Sequence, residues 1–141
     1  MLETTSTLFG KLCSQEDGKN YLRQEREEPT CAQVIQSLLK QAGLSASEWM
    51  TVADVGKSYG YQILRGERVP GRDILLRTAF SLHLTLKETQ RLLTIGGCGI
   101  LYPRVRRDAA IIFALNQNLT LLETEELLNS LPERSLYIRE R

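Results

Sequence analysis

Side chains suited to hydrogen bonding with nucleic acid cluster between residues 57 and 72. At helical spacing, the candidates for reading base edges are Lys57, Ser58, Tyr61 and Gln62. A glutamine amide can pair with adenine through two hydrogen bonds, serine suits several base edges, and lysine reaches guanine or a phosphate. Three arginines follow, typical of contacts that hold a protein in register on a phosphate backbone: Arg65, Arg68 and Arg72. This pattern indicates recognition of duplex nucleic acid.

The chain is nearly neutral, with a net charge of +1 over 141 residues, but the charge is unevenly distributed. Residues 60–107 carry nine Lys or Arg against three Asp or Glu, whereas residues 1–29 and 108–141 are net acidic. A basic stripe inside a neutral protein permits contact with a polyanion. The last arginines of this stripe could reach a phosphate backbone, or they could pair with acids of the second hairpin or of a partner subunit: Arg104, Arg106 and Arg107.

Catalytic and metal-binding chemistry find little support in the sequence. The only histidine, His83, lies in a polar turn, and no recognisable motif ties a serine or cysteine to it. Cys13, Cys31 and Cys98 are widely separated and form no CxxC pair, which favours reduced thiols over disulfides or a metal site. The Gly-rich segment 96–99 lacks the preceding strand and the lysine of a phosphate-binding loop. We therefore expect no enzyme activity, no cofactor and no metal.

Cap residues divide the chain into helices, and no alternating strand pattern occurs. Thr30, Ser45, Thr85 and Thr120 each precede a Glu or Gln by three positions, which is the spacing of a capping box. The segment from Ser45 to Gly66 reads as two short helices, the second over Lys57–Leu64. Val55 is expected to plug the corner between them, Gly56 to relieve its backbone, and Gly66 to end the second helix. The sequence predicts an all-α fold.

An internal repeat joins two later segments of the chain. Residues Arg72–Leu93 recur 35 positions later as Arg107–Leu128. Both copies begin with Arg-Asp, pass through a short polar turn and carry a Thr-x-x-Glu box, so each predicts a helical hairpin. Two copies are too few for a solenoid, and we expect the second hairpin to pack on the first and extend its core.

The sequence GLSASEWMTVADVGKSYGYQILRGERVPGRD, residues 43–73, resembles the helix-turn-helix of the Xre/Cro family, related to phage lambda repressor-type domains. The similar features are the Gly-Leu-Ser opening, Val55 at the corner, Ile63 as a core residue, Arg65-Gly66 and Pro70. The resemblance implies a lambda repressor-like five-helix bundle over about residues 30–95. It also implies a transcriptional regulator that binds double-stranded DNA, commonly as a homodimer.

The expected organisation places further segments around this helix-turn-helix domain. Residues 1–29 form an N-terminal arm, either a short docked helix with Leu2, Leu8, Phe9 and Leu12 or a flexible segment. A Gly/Arg connector covers 96–106, the C-terminal hairpin covers 107–131 on the same core, and a tail covers 132–141. No run of residues approaches a membrane span, and the N-terminus lacks a signal pattern, so we expect a cytoplasmic protein with no membrane partner.

Three residues depart from the family pattern and keep a second interpretation open. Met50, Asp54 and Gly60 stand where the family usually has Ala, Gly and a β-branched residue. Gly60 alone costs roughly 1 kcal/mol in a helix interior compared with Ala. The alternative function is therefore a protein–protein interaction module on a helix-turn-helix scaffold, with weak or no DNA binding. Its dimer or partner surface would be the apolar segment Ile111-Ile112-Phe113 and the acidic second hairpin.

Overall fold

The computed structural model describes residues 5–23 and 28–137, which form nine α-helices and no strand. The helices are α1 (Thr5–Cys13), α2 (Gln15–Arg23), α3 (Cys31–Ala42), α4 (Ala46–Val52), α5 (Lys57–Leu64), α6 (Arg72–Ser81), α7 (Leu86–Ile95), α8 (Arg106–Asn116) and α9 (Leu121–Ser130). The prediction of an all-α fold is confirmed for the described residues.

Reciprocal side-chain caps begin four of these helices. At the start of α3, the hydroxyl of Thr30 accepts from the amide of Gln33 at 3.2 Å, and the Gln33 side chain accepts from the amide of Thr30 at 3.0 Å. The same arrangement begins α4, α7 and α9. Each box satisfies two backbone N–H groups that have no partner within the helix. All four capping boxes expected from the sequence are therefore confirmed.

One local geometry turns the chain at four corners between consecutive helices. In each corner a residue with positive φ is followed by an apolar residue and then by the N-cap of the next helix. The corners are Gly43-Leu44-Ser45, Asp54-Val55-Gly56, His83-Leu84-Thr85 and Asn118-Leu119-Thr120. The amide of the apolar residue donates to the carbonyl five positions earlier at 2.9–3.0 Å, as in the Schellman motif.

The corner between α4 and α5 differs from the sequence-based expectation at one residue. The sequence predicts that Gly56 relieves backbone strain at this corner. Its φ of −61°, however, is open to any residue. Asp54, with φ 53°, takes the left-handed conformation instead. Asp is one of the few non-glycine residues that visit this region, because its short polar side chain hydrogen-bonds locally. Val55 is buried and Gly66 has φ 79°, as expected for a corner plug and a helix stop.

The 35-residue repeat extends beyond the hairpins to the loop that follows each of them. We call residues 72–102 copy 1 and residues 107–137 copy 2. Leu101 and Leu136, one repeat apart, return to the core and are 2% and 0% exposed. The side chain of Gln90 holds the amide of Leu101 at 2.7 Å, and the carboxylate of Glu125 holds the amide of Leu136 at 2.8 Å. The copies also pack reciprocally, since α6 contacts α9 and α7 contacts α8.

The Arg-Asp pairs that begin the two copies bind across to one another. The guanidinium of Arg72 binds the carboxylate of Asp108 at 2.9 and 3.1 Å, and that of Arg107 binds Asp73 at 3.2 Å. Each arginine also donates to two carbonyls in the returning loop of its own copy. Those acceptors are Gly99 and Ile100 for Arg72, and Arg134 and Ser135 for Arg107. The recurrence of Arg-Asp in both copies therefore has a structural reason.

The observed segment boundaries refine the predicted ones. The arm contains two helices, α1 and α2, which pack on each other, with Phe9 and Leu12 exposed. Leu2, assigned to the same arm, lies outside the described residues. Helix α8 begins at Arg106, inside the predicted connector. The described part of the predicted tail, residues 132–137, folds back on the core through Leu136.

Candidate nucleic-acid interface

Helix α5 packs on the bundle through one face and is held near both ends. Ile63 is fully buried on this face and Tyr59 is half-buried. At the start of the helix the corner residue Val55 is buried in the core. At its end, the side-chain amide of Gln36 on α3 donates to the carbonyl of Leu64. These contacts fix which side of α5 faces outward.

Two of the unusual residues compensate each other where α4 meets α5. A Cβ atom built on Gly60 would lie 2.6 Å from Cγ of Met50, and closer still to its Sδ. The Met50 side chain is 7% exposed and fills the space that a larger residue at position 60 would take. Large-for-small exchange at facing positions conserves core volume, which interiors tolerate best. Gly60 therefore leaves no gap against α4.

The outward face of α5 brings together the four side chains predicted to read bases. Lys57, Ser58 and Tyr61 are exposed, with Tyr61 at 37%, and Gln62 is partly exposed. Side chains four positions apart on a helix are neighbours, so Lys57 lies beside Tyr61 and Ser58 beside Gln62. The side chains of Lys57, Ser58, Tyr61 and Gln62 thus form one strip on the outward face of α5. Their role toward DNA stays a prediction.

Arg65 and Arg68 lie exposed just beyond the C-terminal end of α5. The guanidinium of Arg65 donates to the carboxylate of Glu67 at 2.9 and 3.3 Å. This hydrogen bond raises the pKa of Arg65 and lowers the pKa of Glu67. A solvent-exposed ion pair contributes little free energy. Arg65 can therefore exchange Glu67 for another anion at small cost.

Arg72, which is predicted to contact phosphate, and Arg107, for which phosphate contact and pairing with acids are both open in the sequence, serve the fold instead. The side chains of Arg72 and Arg107 are only 27% and 9% exposed, and each is bound to a carboxylate and two carbonyls. Burial would raise the pKa of Asp108, but the hydrogen bonds from Arg72 and from the amide of Tyr102 outweigh it and hold the pKa below the ordinary value. Moving Arg72 to a phosphate would leave that carboxylate buried without its partner.

The remaining arginines of the predicted set lie beside α8. Arg104 is exposed in the loop before the helix, and Arg106, in its first turn, is 65% exposed with a distant contact of 4.0 Å to Glu133. These two arginines keep their side chains accessible to an external anion. They lie just before copy 2, away from the strip on α5 in sequence.

Arg77 is a central residue that the sequence-based reasoning missed. It is 5% exposed and donates to the carbonyls of Ala53 at 2.7 Å and Asp54 at 3.3 Å, and to that of Leu136. Its guanidinium also lies 5.1 Å from the ring centroid of Tyr137. Arg77 thus joins the α4–α5 corner to copy 2. An arginine inside the apolar run ILLRTAF was the available signal.

The histidine, the cysteines and the acidic residues in the described ranges 5–23 and 28–137 form no metal site. No group of three or more His, Cys, Asp or Glu side chains could hold a metal ion there. The three cysteines are free, and His83 is exposed with φ 55° at a helix corner. No described helix is long and apolar enough to cross a membrane.

Comparison of the chain with protein-family models, with curated proteins and with solved structures finds no match.

Proposed function

We propose that this protein binds double-stranded DNA, with α5 in the major groove, and regulates transcription. The observation that carries the proposal is the convex strip on α5, where Lys57, Ser58, Tyr61 and Gln62 face away from the bundle. The major groove is about 12 Å wide and admits an α-helix. The N-terminal part of a recognition helix contacts base edges in this geometry. Gln62 would discriminate adenine, while Lys57 would contact guanine or a phosphate.

In this function, α4 and α5 would form a helix-turn-helix like that of the Xre/Cro family, inside a lambda repressor-like bundle made of α3 to α7. Burial of Val55 and Ile63 and the left-handed conformation of Gly66 support it. The unusual residues also fit such a motif. Met50 and Gly60 exchange volume at one contact, and Asp54 adopts the positive φ that a glycine would take. A helix-turn-helix of ordinary shape can therefore be built from this atypical sequence.

Phosphate contacts would come from the exposed arginines rather than from the whole basic stripe. Arg65 and Arg68 lie at the end of the proposed recognition helix, and Arg104 and Arg106 are available as additional contacts. Each phosphate neutralised releases counterions, so binding must weaken steeply as salt rises. Arg72 and Arg107 would not contact phosphate, because their guanidinium groups are bound to carboxylates within the protein.

Selection of genomic DNA fragments by the purified protein tests the proposal and gives the bound sequence. Gln62→Ala should lower affinity for a selected duplex by about 1–3 kcal/mol and relax specificity at one base pair. Arg68→Ala should weaken binding to all duplexes and reduce the salt slope by about 1. The matched control is Lys87→Ala, which removes an exposed positive charge on α7. The proposal is contradicted if the protein does not bind duplex DNA at low salt. It is also contradicted if Gln62→Ala and Arg68→Ala both bind duplex DNA like wild type.

A protein-interaction module on the same scaffold is the second candidate. The observation that favours it is Phe113, which is 53% exposed on α8 beside the half-buried Ile112. Ile111 is buried in the core, so it cannot belong to the partner surface expected from the sequence. Large apolar side chains exposed together commonly mark interaction surfaces. This candidate predicts retention of a protein partner and no salt-sensitive binding to duplex DNA. Loss of DNA affinity in Gln62→Ala, a variant that keeps the exposed Phe113, would favour the first function over the second.

A further inference from the structure

A cavity of about 450 Å³ lies between three parts of the fold. Its walls are the α4–α5 corner with the first turn of α5, the N-terminal half of α6, and the loop that follows α9. We call it the α5–α6 cavity. Ligand pockets in proteins have volumes of about 300–1,000 Å³, so this cavity is large enough for a small organic molecule. The chemistry of its lining indicates which kind of molecule would fit.

Three side chains give the α5–α6 cavity an apolar part. Val55 is buried, and Tyr59 and Ile74 are half-buried. Tyr59 lies in the first turn of α5, and Ile74 lies in the first turn of α6. The flat face of a tyrosine ring is apolar and packs well against another ring. This part of the lining therefore suits an aromatic group.

Two glycines keep the cavity open at the starts of α5 and α6. Gly56 and Gly71 have φ values of −61° and −68°, which any residue can adopt. A Cβ atom added to either glycine would meet nothing within 4 Å. Neither backbone conformation nor crowding therefore requires glycine at these two positions. Their effect is to leave this part of the cavity without side chains.

The charged residues that line the cavity leave it net positive. Two of them are bound to residues outside the lining: Arg72 by Asp108, and Asp73 by Arg107. These two outside partners have opposite charges and together add none. The lining itself contains three arginines and two aspartates, a formal charge of +1; they are Arg72, Arg77, Arg134, Asp54 and Asp73. A cavity with a positive lining favours an anionic ligand.

Arg134 is the cation best placed to bind that anion. Its side chain is 45% exposed, and its guanidinium lies 3.7 Å from the carboxylate of Asp73, which is longer than a hydrogen bond. Asp73 is also held by two N–H groups of Arg107 at 3.2 Å, so it keeps a partner when Arg134 binds a ligand. One repeat earlier the chain has Gly99, so Arg134 is not part of the plan that the two hairpins share.

We propose that the α5–α6 cavity binds a small aromatic carboxylate. Its carboxylate accepts two hydrogen bonds from the guanidinium of Arg134, the usual geometry of such a pair. Its ring packs on Tyr59 and Ile74. A carboxylate without a ring would leave the apolar lining uncovered, and a ring without a carboxylate would leave the positive charge unmatched. The proposal goes beyond the proposed function, because binding in this cavity does not depend on whether α5 binds DNA.

Amide chemical shifts of the full chain, followed by NMR during titration with naphthoate, test the proposal. Saturable binding is expected, with the largest shifts around the cavity, at residues 56, 59, 71, 74 and 134. Two further probes each lack one half of the chemistry. Naphthamide is the neutral counterpart of naphthoate, and acetate is a carboxylate without a ring. Each should bind at least about tenfold more weakly than naphthoate.

Arg134→Gln removes the proposed cation. It should weaken naphthoate binding at least about tenfold and leave the affinity for naphthamide unchanged. Arg134→Lys keeps the charge but not the two-pronged geometry, so it should recover only part of the affinity. The matched control is Arg23→Gln, at an exposed arginine on α2, which should bind naphthoate like wild type. Circular dichroism should show the same helix content in all three variants, because both arginine side chains are exposed.

Outcomes of the same experiments can overturn the proposal. The cavity is no such site if naphthoate shows no saturable binding up to its solubility limit, or if Arg134→Gln binds it like wild type. Naphthamide or acetate that binds as tightly as naphthoate would show that the ligand class is wrong. Shifts centred on the groove between α3 and α7, at residues 33, 34, 37 and 41, would place the binding elsewhere.

Discussion

Copy 1 and copy 2 share a backbone plan but differ in what covers their first helix. Both have a Thr-capped second helix, a left-handed corner residue and a leucine that returns to the core. On α6 the outer positions are Arg77 and Thr78, which bind α4 and its corner, whereas α8 presents Ile112 and Phe113 to solvent. The repeated residues thus maintain the hairpin, and the outer residues differ between the copies: those of copy 1 bind α4 and its corner, and Phe113 of copy 2 is exposed.

The largest expected effect comes from breaking the buried side of this comparison at Arg77. Arg77→Ala leaves three carbonyls without their donor, at Ala53, Asp54 and Leu136, and removes the contact with Tyr137. We expect the free energy of unfolding to fall by about 3–5 kcal/mol, measured by urea denaturation. Ile112→Ala, at the equivalent half-buried position, should cost about 1 kcal/mol. Equal losses in the two variants would contradict the distinction between the copies.

The Arg72–Asp108 pair tests the bond that joins the copies. Asp108→Asn should lower stability at neutral pH by about 2 kcal/mol, because a charge-assisted hydrogen-bond pair is lost. The pKa of Asp108 is lowered in the folded protein from its ordinary value of 3.8. Its contribution is therefore present above that value and is lost as the pH falls through the lower folded pKa. Denaturation curves from neutral to acid pH should show a smaller acid loss in the variant.

Asp17→Asn is the control for the acid experiment, since Asp17 is exposed on α2. It should reproduce the wild-type dependence of stability on pH. An Asp108→Asn variant with the full wild-type acid loss would show that the ion pair between copies does not contribute to it.

A smaller effect is expected where α4, the cover of copy 1, meets α5. Gly60→Ala should destabilise by about 1–2 kcal/mol, because the added methyl group collides with Met50 and the overpacking outweighs the gain in helix propensity. Met50→Ala opens a cavity and should cost more. Combining Met50→Ala with Gly60→Val should recover part of that loss in thermal unfolding. A stabilised Gly60→Ala variant would show that Met50 gives way freely.

The smallest effect compares the corners of the two copies. His83 and Asn118 both adopt left-handed φ values, 55° and 54°. His83→Gly should stabilise by about 0.5–1 kcal/mol, since glycine has no Cβ to strain this conformation. Asn118→Gly should gain less, because Asn tolerates the left-handed region better than most residues. A larger gain at Asn118 than at His83 would contradict this reasoning.

Local features of the fold could be predicted from the sequence, and contacts between distant segments could not. The bounds of α5, Lys57–Leu64, agree with the prediction because a corner and a glycine stop are encoded within a few residues. The sequence indicates a phosphate contact for Arg72 because its charge is visible there, whereas its partner Asp108 lies 36 residues away. Met50 and Gly60 likewise read as two separate defects in the sequence, because their contact joins two different helices.

Part of the candidate site was predictable for the same reason. Helical spacing alone placed Lys57, Ser58, Tyr61 and Gln62 on one side of a helix, and the structure places them together there. Which basic residues remain accessible depends on tertiary ion pairs, so the sequence could not separate Arg68 from Arg107. The partial exposure of Ile112 was also hidden, because Ile112 resembles its buried neighbour Ile111 in composition.

Amide chemical shifts of the protein, followed by NMR during titration with a selected DNA duplex, test the central claim most directly. The account predicts that the largest changes fall on the outward strip of α5 and the arginines after it, at residues 57, 58, 61, 62, 65 and 68. It also predicts that these changes fade as salt is raised. Changes centred on α8, or no changes at low salt, would contradict the assignment of α5 as the helix that binds DNA.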